Sequence, residues 1–339
     1  MVELALIGTG NWGKNLLRNY AQLPGARLKY CCDLDEARLQ AFREQYPETR
    51  FTTDVDALLG DPQVEAVVIA APAPQHHPLG LRALQAGKHT YIEKPLALST
   101  RQAGELVAEA EQRDLRLMVG HLLLYHPAVT RLKEVVDSGE LGDILYIYCQ
   151  RVNLGVIRRD ENALWSLAPH DISVALYLLG DQPADVSARG SCYLQRDAGV
   201  EDCVFANVSF PGGRMVHLHV SWLDPHKIRR ITVVGSRKMA VFDDVESTEK
   251  LRVYDKGVQG GVSYESYGDL LTLRYGDIHI PHVPMTEPLR IECEHFVRCV
   301  DQGREPLTDG RNGLAVVQVL EAAQKSLQQG GVPVSLPSQ

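Results

Sequence analysis

The chain has 339 residues, a length that favours two domains over one, and 45% hydrophobic with 23% charged residues is ordinary globular usage. A formal charge of −8 without a long basic run argues against nucleic acid or an anionic membrane as the main partner and leaves a small molecule as the default. The sequence opens directly into a strand pattern and holds no apolar stretch long enough to span a bilayer, so a cytoplasmic protein is expected. Its seven cysteines include the adjacent pair Cys31 and Cys32 and show no C-x-x-C spacing, which reads as reduced, mostly buried thiols.

Up to about residue 120, short apolar runs alternate with amphipathic helical segments. The runs are Val2 to Ile7, Leu28 to Cys32, Glu65 to Ala71, Lys88 to Glu93 and Leu115 to Gly120, and the helices are expected over 12–22, 35–46, 76–86 and 99–113. Runs of this length separated by single helices describe a parallel sheet covered on both faces. Ser99 followed by Gln102 predicts a cap for the 99–113 helix. After Gly120 the character changes. A helix over 126–138 leads to a run from Leu145 to Val152, a long polar segment to about Glu161, and a helix ending at Gly180. From about 186 to 280 strands dominate, with alternation in 201–210 and 214–222 and turns at Pro211-Gly212-Gly213 and Asp224-Pro225. Helices over 287–302 and 311–328 close the chain. The class is therefore α/β, with a doubly wound parallel sheet in residues 1–122 and an α/β domain on a large, mostly antiparallel sheet in 123–339. Without a flexible linker, the two domains are expected to meet directly and form a cleft.

Gly8-Thr9-Gly10-Asn11-Trp12-Gly13 is a G-x-G-x-x-G sequence that follows the first apolar run and opens the first helix. Its first glycine permits a tight turn, the second lets a pyrophosphate approach the backbone, and the third lets helix and strand pack closely, while the helix start offers free N–H groups. Asp33, at the end of the second run, is placed to accept hydrogen bonds from both hydroxyls of an adenosine ribose. Its charge opposes a 2′-phosphate and the next residue is Leu34, so NAD is favoured over NADP, although Arg38 lies one helical turn further on.

Ala71-Pro72 with His76 four residues on, Ala86-Gly87-Lys88-His89, the triplet Glu93-Lys94-Pro95, and Pro306-Leu307-Thr308-Asp309-Gly310 complete a pattern. Nearly the whole chain resembles the glucose–fructose oxidoreductase, inositol dehydrogenase and MocA family. That resemblance implies a Rossmann domain followed by an α/β domain whose open sheet serves in homodimer or homotetramer contacts. It also implies oxidation or reduction of a sugar or polyol carbon with a nicotinamide cofactor. It makes Ala71 and Pro72 cofactor-binding residues, places His76 beside the cofactor's nicotinamide half, and makes Lys94 the first catalytic candidate, its ammonium reaching the substrate hydroxyl and the nicotinamide ribose while Glu93 and Pro95 hold it.

The second catalytic candidate is His170, within Trp165-Ser166-Leu167-Ala168-Pro169-His170-Asp171. An imidazole suits a base that takes a hydroxyl proton. Pro169 is favoured in a first helical turn, so a helix over 169–179 is expected with His170 near its start. Family members commonly carry an aspartate where this chain has Ser166, which offers a hydrogen bond but no charge; Asp171 is a conceivable substitute. The segment Arg151 to Asn162, with Asn153, Arg158 and Arg159, is rich in donors and suits an anionic or heavily hydroxylated substrate such as a nucleotide-linked sugar. By the resemblance Tyr125 and His126 face the same cleft; packing under helix 126–138 is the alternative. His77 reads as a helix-face residue, and His217 with His219, lacking an evident third ligand, as polar sheet positions.

The reading is an NAD-dependent oxidoreductase acting on a secondary alcohol of a sugar, foremost a UDP-sugar at a ring carbon. A free-sugar or inositol dehydrogenase would share the catalytic residues, and a catalytically silent NAD-binding sensor is the alternative of another class.

Overall fold

The computed structural model describes residues 1–155, 157–159, 161–259 and 272–337. It divides into two compact units, one of residues 1–125 and 286–321, the other of 126–285 and 322–339. The first unit thus runs past the expected boundary at 122 and takes back a segment from near the chain's end.

The first unit contains β1 (Val2–Ile7), α1 (Gly13–Gln22), β2 (Ala26–Cys32), α2 (Glu36–Arg43), β3 (Arg50–Thr52), α3 (Val55–Leu59), β4 (Ala66–Ile69), α4 (His76–Gln85), β5 (His89–Glu93), α5 (Thr100–Gln112) and β6 (Leu117–Gly120). Six parallel strands form one sheet in the order β3-β2-β1-β4-β5-β6. Such a sheet is dry on both faces, which explains why β4 reads as four consecutive buried residues and not as an alternation. The short β3 and α3 escape sequence reading because each lacks a full period of pattern. Ser99 Oγ accepts the Gln102 amide at 3.2 Å, the cap expected for α5.

The second unit begins with α6 (Pro127–Asp137), β7 (Ile144–Val152) and α7 (Ala163–Leu179), followed by β8 (Asp185–Ser191), β9 (Cys203–Ser209), β10 (Met215–Ser221), β11 (Ile228–Gly235), β12 (Met239–Asp243), β13 (Leu251–Gln259) and β14 (Thr272–His279). The chain closes with α8 (Pro288–Gln302), α9 (Gly310–Gln328) and the short β15 (Val334–Ser335). Among the described residues the second sheet has the order β14-β13-β12-β11-β7-β10-β9-β8-β15, antiparallel throughout except where β10 runs parallel to β7. Val216, Leu218 and Val220 of β10 are buried while the residues between them are more open, the alternation of a sheet covered on one face.

Two local expectations change. The helix expected to start at Pro169 begins at Ala163, where Asn162 caps it by accepting the Trp165 amide at 3.1 Å, and Pro169 lies inside it. A cap with a following apolar run outranks the proline as a start signal, since proline in a second turn removes only one backbone bond. The segment 286–321 completes the first unit because α8 presents Leu289, Cys293, Phe296 and Val297 on one stripe, all in one cluster with Leu4, Leu16, Leu17, Tyr20 and Tyr91. Phe296 meets Tyr91 edge-on at 5.8 Å between ring centroids. The Pro306–Gly310 segment then docks beside β6: Val119 N–H donates to the Thr308 carbonyl at 2.8 Å, Thr308 Oγ1 donates back to the Val119 carbonyl, and Asp309 accepts the Asn312 amide at the start of α9.

Candidate active site

At the carboxyl end of β1 the chain turns through Gly8, whose φ of +97° falls where L side chains are strained. A Cβ there would also stand 2.7 Å from the Ala70 carbonyl group. A Cβ on Gly13 would collide with the Gly8 carbonyl oxygen, so α1 can approach β1 only as glycine, whereas a Cβ on Gly10 would meet nothing within 4 Å. The three glycines therefore give a tight turn, an open backbone face and a close helix–strand contact. A cavity of about 470 Å³ lies beside this turn, lined by Thr9, Gly10, Asn11, Lys14, Arg38, Ala41 and Phe42.

Asp33 closes the same end of the sheet. Its Oδ2 accepts the Thr9 amide at 2.7 Å and the Thr9 hydroxyl at 2.8 Å, and its Oδ1 accepts the Asp35 amide at 3.0 Å. Partial burial pushes the carboxyl up, but these donors, with Arg38 at 3.7 Å, outweigh it and hold Asp33 below its usual value. An anion is thus fixed next to the glycine turn. Arg38 also pairs with Asp35 at 3.3 Å, so its charge is shared between two carboxylates. This cradle fits a dinucleotide: free amides and open backbone suit a pyrophosphate, and Asp33 suits ribose hydroxyls.

At the end of β5, Glu93 is 9% exposed and collects three donors. Trp12 Nε1–H from the glycine turn reaches its Oε1 at 2.6 Å, the Tyr91 hydroxyl reaches the same oxygen at 2.9 Å, and the Lys94 amide reaches Oε2 at 3.2 Å. Lys94 follows, half-buried, with a cis peptide bond to Pro95. The Glu93 carboxylate therefore ties the lysine's backbone to the Gly8–Gly13 turn, a link that neither motif reveals alone.

His76, 2% exposed, places one ring nitrogen 2.7 Å from the Pro95 carbonyl and the other 2.8 Å from that of Ala71. Burial drives its pKa down; the two carbonyls work the other way, and the charge of Lys94 adds to the fall. The ring is a clamp between the Ala71-Pro72 loop and the Lys94-Pro95 turn, so it shapes this corner through backbone atoms. His121, just beyond β6, goes unnoticed in the sequence. It is 1% exposed, its Nδ1 lies 2.7 Å from Asn312 Oδ1, and burial pushes its pKa down to about 4. The Lys94 charge contributes to that fall, which places this neutral imidazole in the lysine's surroundings. Only the long-range fold brings it there. Tyr125 lies in the core, 5% exposed, with its hydroxyl 2.9 Å from Thr308 Oγ1 and its ring 5.2 Å from that of His295.

In the second unit, α7 carries Trp165, Ser166 and His170. Ser166 and His170 are one turn apart and so share a helix face, with Ser166 buried and His170 half-buried. Asp171 does not take the place of the missing aspartate. It is 1% exposed and forms paired bonds to Arg151, with Nε at 3.0 Å and Nη2 at 2.9 Å, because a buried carboxylate needs a partner of its own. Arg151 and Asn162 are accordingly spent on structure, Asn162 capping α7 and also donating to Glu201 and Gln324. Asn153 stands just past β7, and Arg158 is exposed and paired with Glu161 at 2.9 Å. Val156 and Asp160 of this segment lie outside the described residues. His126 caps α6 through the Ala128 amide, and His77 bonds Glu105 at 2.8 Å. His217 bonds Asn207 and stacks with Tyr148, and His219 stacks on Phe205. Among the described residues no group of three His, Cys, Asp or Glu side chains could hold a metal ion, and no helix is long and apolar enough to cross a membrane.

The sequence profile of the oxidoreductase family with an NAD-binding Rossmann fold matches residues 2–121, and that of the GFO/IDH/MocA C-terminal domain matches residues 129–241. The chain belongs to the GFO/IDH/MocA oxidoreductase family. It is similar to myo-inositol 2-dehydrogenase of Thermotoga maritima, 25% identical over 97% of both chains, and to UDP-N-acetylglucosamine 3-dehydrogenase of Acidithiobacillus ferrooxidans, 27% identical over 96% of this chain and 99% of the relative. The solved structure of the latter enzyme superposes with a TM-score of 0.80 at 25% identity, covering 96% of this chain and 98% of that one. The protein is thus an oxidoreductase with an NAD-binding Rossmann domain, in a family whose members act on sugars and inositols.

Proposed function

We propose that this protein oxidises a secondary alcohol of a sugar ring with NAD as its cofactor, a nucleotide-activated sugar being the foremost substrate. The observation that carries the reading is the Trp12–Glu93–Lys94 link, which couples the lysine at the end of β5 to the dinucleotide turn. Gly8, Gly10, Asn11 and Gly13 with the start of α1 would hold the pyrophosphate, and Asp33 the ribose. The bound nicotinamide supplies a two-electron hydride acceptor.

The chain's own residues manage charge and protons. The Lys94 ammonium stabilises alkoxide character on the substrate oxygen, and the His170 imidazole accepts that oxygen's proton. Ser166, one turn before His170, supplies a hydroxyl in place of a charge, so the imidazolium is less favoured than beside an aspartate. Trp165, Asn153 and Arg158 are the proposed sugar and phosphate contacts. Tyr125 loses its place in the pocket, since its hydroxyl is committed to Thr308. Half-open Phe205, Met215 and Tyr146 on the second sheet support self-association through that face.

The similarity to an inositol dehydrogenase at nearly the same identity supports a second reading, a free cyclitol or sugar as substrate. NADH absorbance with UDP-sugars, free sugars and inositols separates the two. Lys94→Ala is expected to lower kcat by about a thousandfold or more while NADH, followed by its fluorescence, binds within about threefold of the parent. Retained turnover would reject Lys94, and tight NADH binding without turnover of any substrate would favour a sensor.

A further inference from the structure

Glu292 stands apart among the acidic residues of the first unit. α8 carries it into the apolar cluster with 0% exposure, and neither carboxyl oxygen has a hydrogen-bond partner meeting normal geometry among the described residues. Nothing in the reaction proposed above uses it. The titratable groups facing it are Tyr20 from α1, Tyr91 and Glu93 from β5, Tyr125 from the turn after β6, and Cys293 on its own helix. None of these is a cation, and Glu93 is already stabilised as an anion by Trp12, Tyr91 and the Lys94 amide.

Two carboxylates in one dry core cannot both be ionised, and the one without donors keeps the proton. Burial pushes both carboxyls up, and the charge of Glu93 pushes Glu292 further. The Tyr91 hydroxyl gives its single proton to Glu93, so its oxygen is left as an acceptor, and Phe296, one turn on from Glu292 along α8, packs edge-on against the Tyr91 ring, which brings that helix face to the tyrosine. β6 leaves room for this arrangement: a Cβ on Gly120 would come within 2.6 Å of the Tyr91 hydroxyl and 2.8 Å of Glu93 Oε2.

We infer that Glu292 is a neutral acid whose proton is offered to the Tyr91 hydroxyl, orienting it onto Glu93, which makes Glu292 a positioning residue for Lys94. The chain runs from Glu292 through Tyr91 and Glu93 to the Lys94 amide, entirely within the first unit. Its functional consequence rests on the role proposed for Lys94; the location of the proton does not.

Infrared spectroscopy of the full-length protein at neutral pH tests the proton directly. A protonated-carboxyl stretch that shifts in D2O is expected in the parent, absent in Glu292→Gln and present in Glu93→Gln. Absence of the band in the parent, or its loss in Glu93→Gln with persistence in Glu292→Gln, would overturn the assignment. Kinetics test the positioning. Glu292→Gln, which keeps a neutral donor, is expected to hold kcat within about threefold with an unchanged pH profile, and Glu292→Leu to lose about tenfold or more in kcat at similar KM, with a native circular dichroism spectrum. A fully active Glu292→Leu protein, or a Gln variant as impaired as Leu, would overturn it. If the parent turns over no sugar, the reading of Lys94 fails by itself, and the infrared result still decides whether Glu292 holds the proton.

Discussion

In the function proposed, Asp33 serves fold and ligand together. Its Oδ2 already binds the Thr9 amide and hydroxyl, and its Oδ1 binds the Asp35 amide, so a ribose would join a carboxylate that is pre-oriented. Bonds to a charged group contribute about 1.5–3 kcal/mol each, so with two ribose hydroxyls in play Asp33→Ala is expected to weaken NADH by roughly a hundredfold or more, read by fluorescence titration. The same change removes the charge opposed to a 2′-phosphate and frees Arg38 from one of its two carboxylates, so NADPH should lose less or gain. Equal losses for both cofactors would reject the ribose role. The place of Asp33 beside the glycine turn was legible because its signal is local: a strand end at a fixed distance from that turn. Glu292 and His121 were not, because what distinguishes them is the absence of solvent and the company of residues far away in the chain. Asp171 misled for the opposite reason. Sequence adjacency to His170 concealed a partner, Arg151, that only the packing of α7 on β7 supplies.

Elements are set by caps and stripes more than by single breakers, and α7 is the case in point. Asn162 accepts the Trp165 amide and fixes where the helix begins, which in turn puts Ser166 and His170 on one face. Asn162→Ala is expected to cost about 1 kcal/mol for the lost cap, with more from the freed Glu201 and Gln324 contacts, measured by urea unfolding. A change below a few tenths of a kcal/mol would show that tertiary packing alone starts α7. Strand and helix periods gave the order of elements along most of the chain, since five of the parallel strands carry continuous apolar runs. What the periods could not give is the partner of each amphipathic stripe. Leu289, Cys293, Phe296 and Val297 announce that α8 has a buried face, and only the structure says that β1, α1 and β5 receive it.

For the whole molecule, buried histidines make stability depend on acid. His121 is pushed down to about 4 by burial, and His76, His89, His126 and His295 are also lowered chiefly by burial. A group with a depressed folded pKa binds protons in the unfolded chain first, so its contribution is complete above about pH 6.5 and is lost as pH falls toward the folded value. For His121 alone the loss between about pH 6.5 and 4 is on the order of 3 kcal/mol. Unfolding midpoints in urea at a series of pH values should fall over this window, and His121→Gln should flatten the fall. An unchanged slope would place the imidazole in solvent.

The return of α8 has a consequence for how the protein is made. A ribosome releases the first six strands long before it reaches Phe296, so the wall that α8 covers stays bare while some 160 intervening residues are translated. Birth of the nucleotide lobe is thereby a terminal event, and a nascent chain stalled before residue 288 would be a client for chaperones instead of a half-finished but self-sufficient domain.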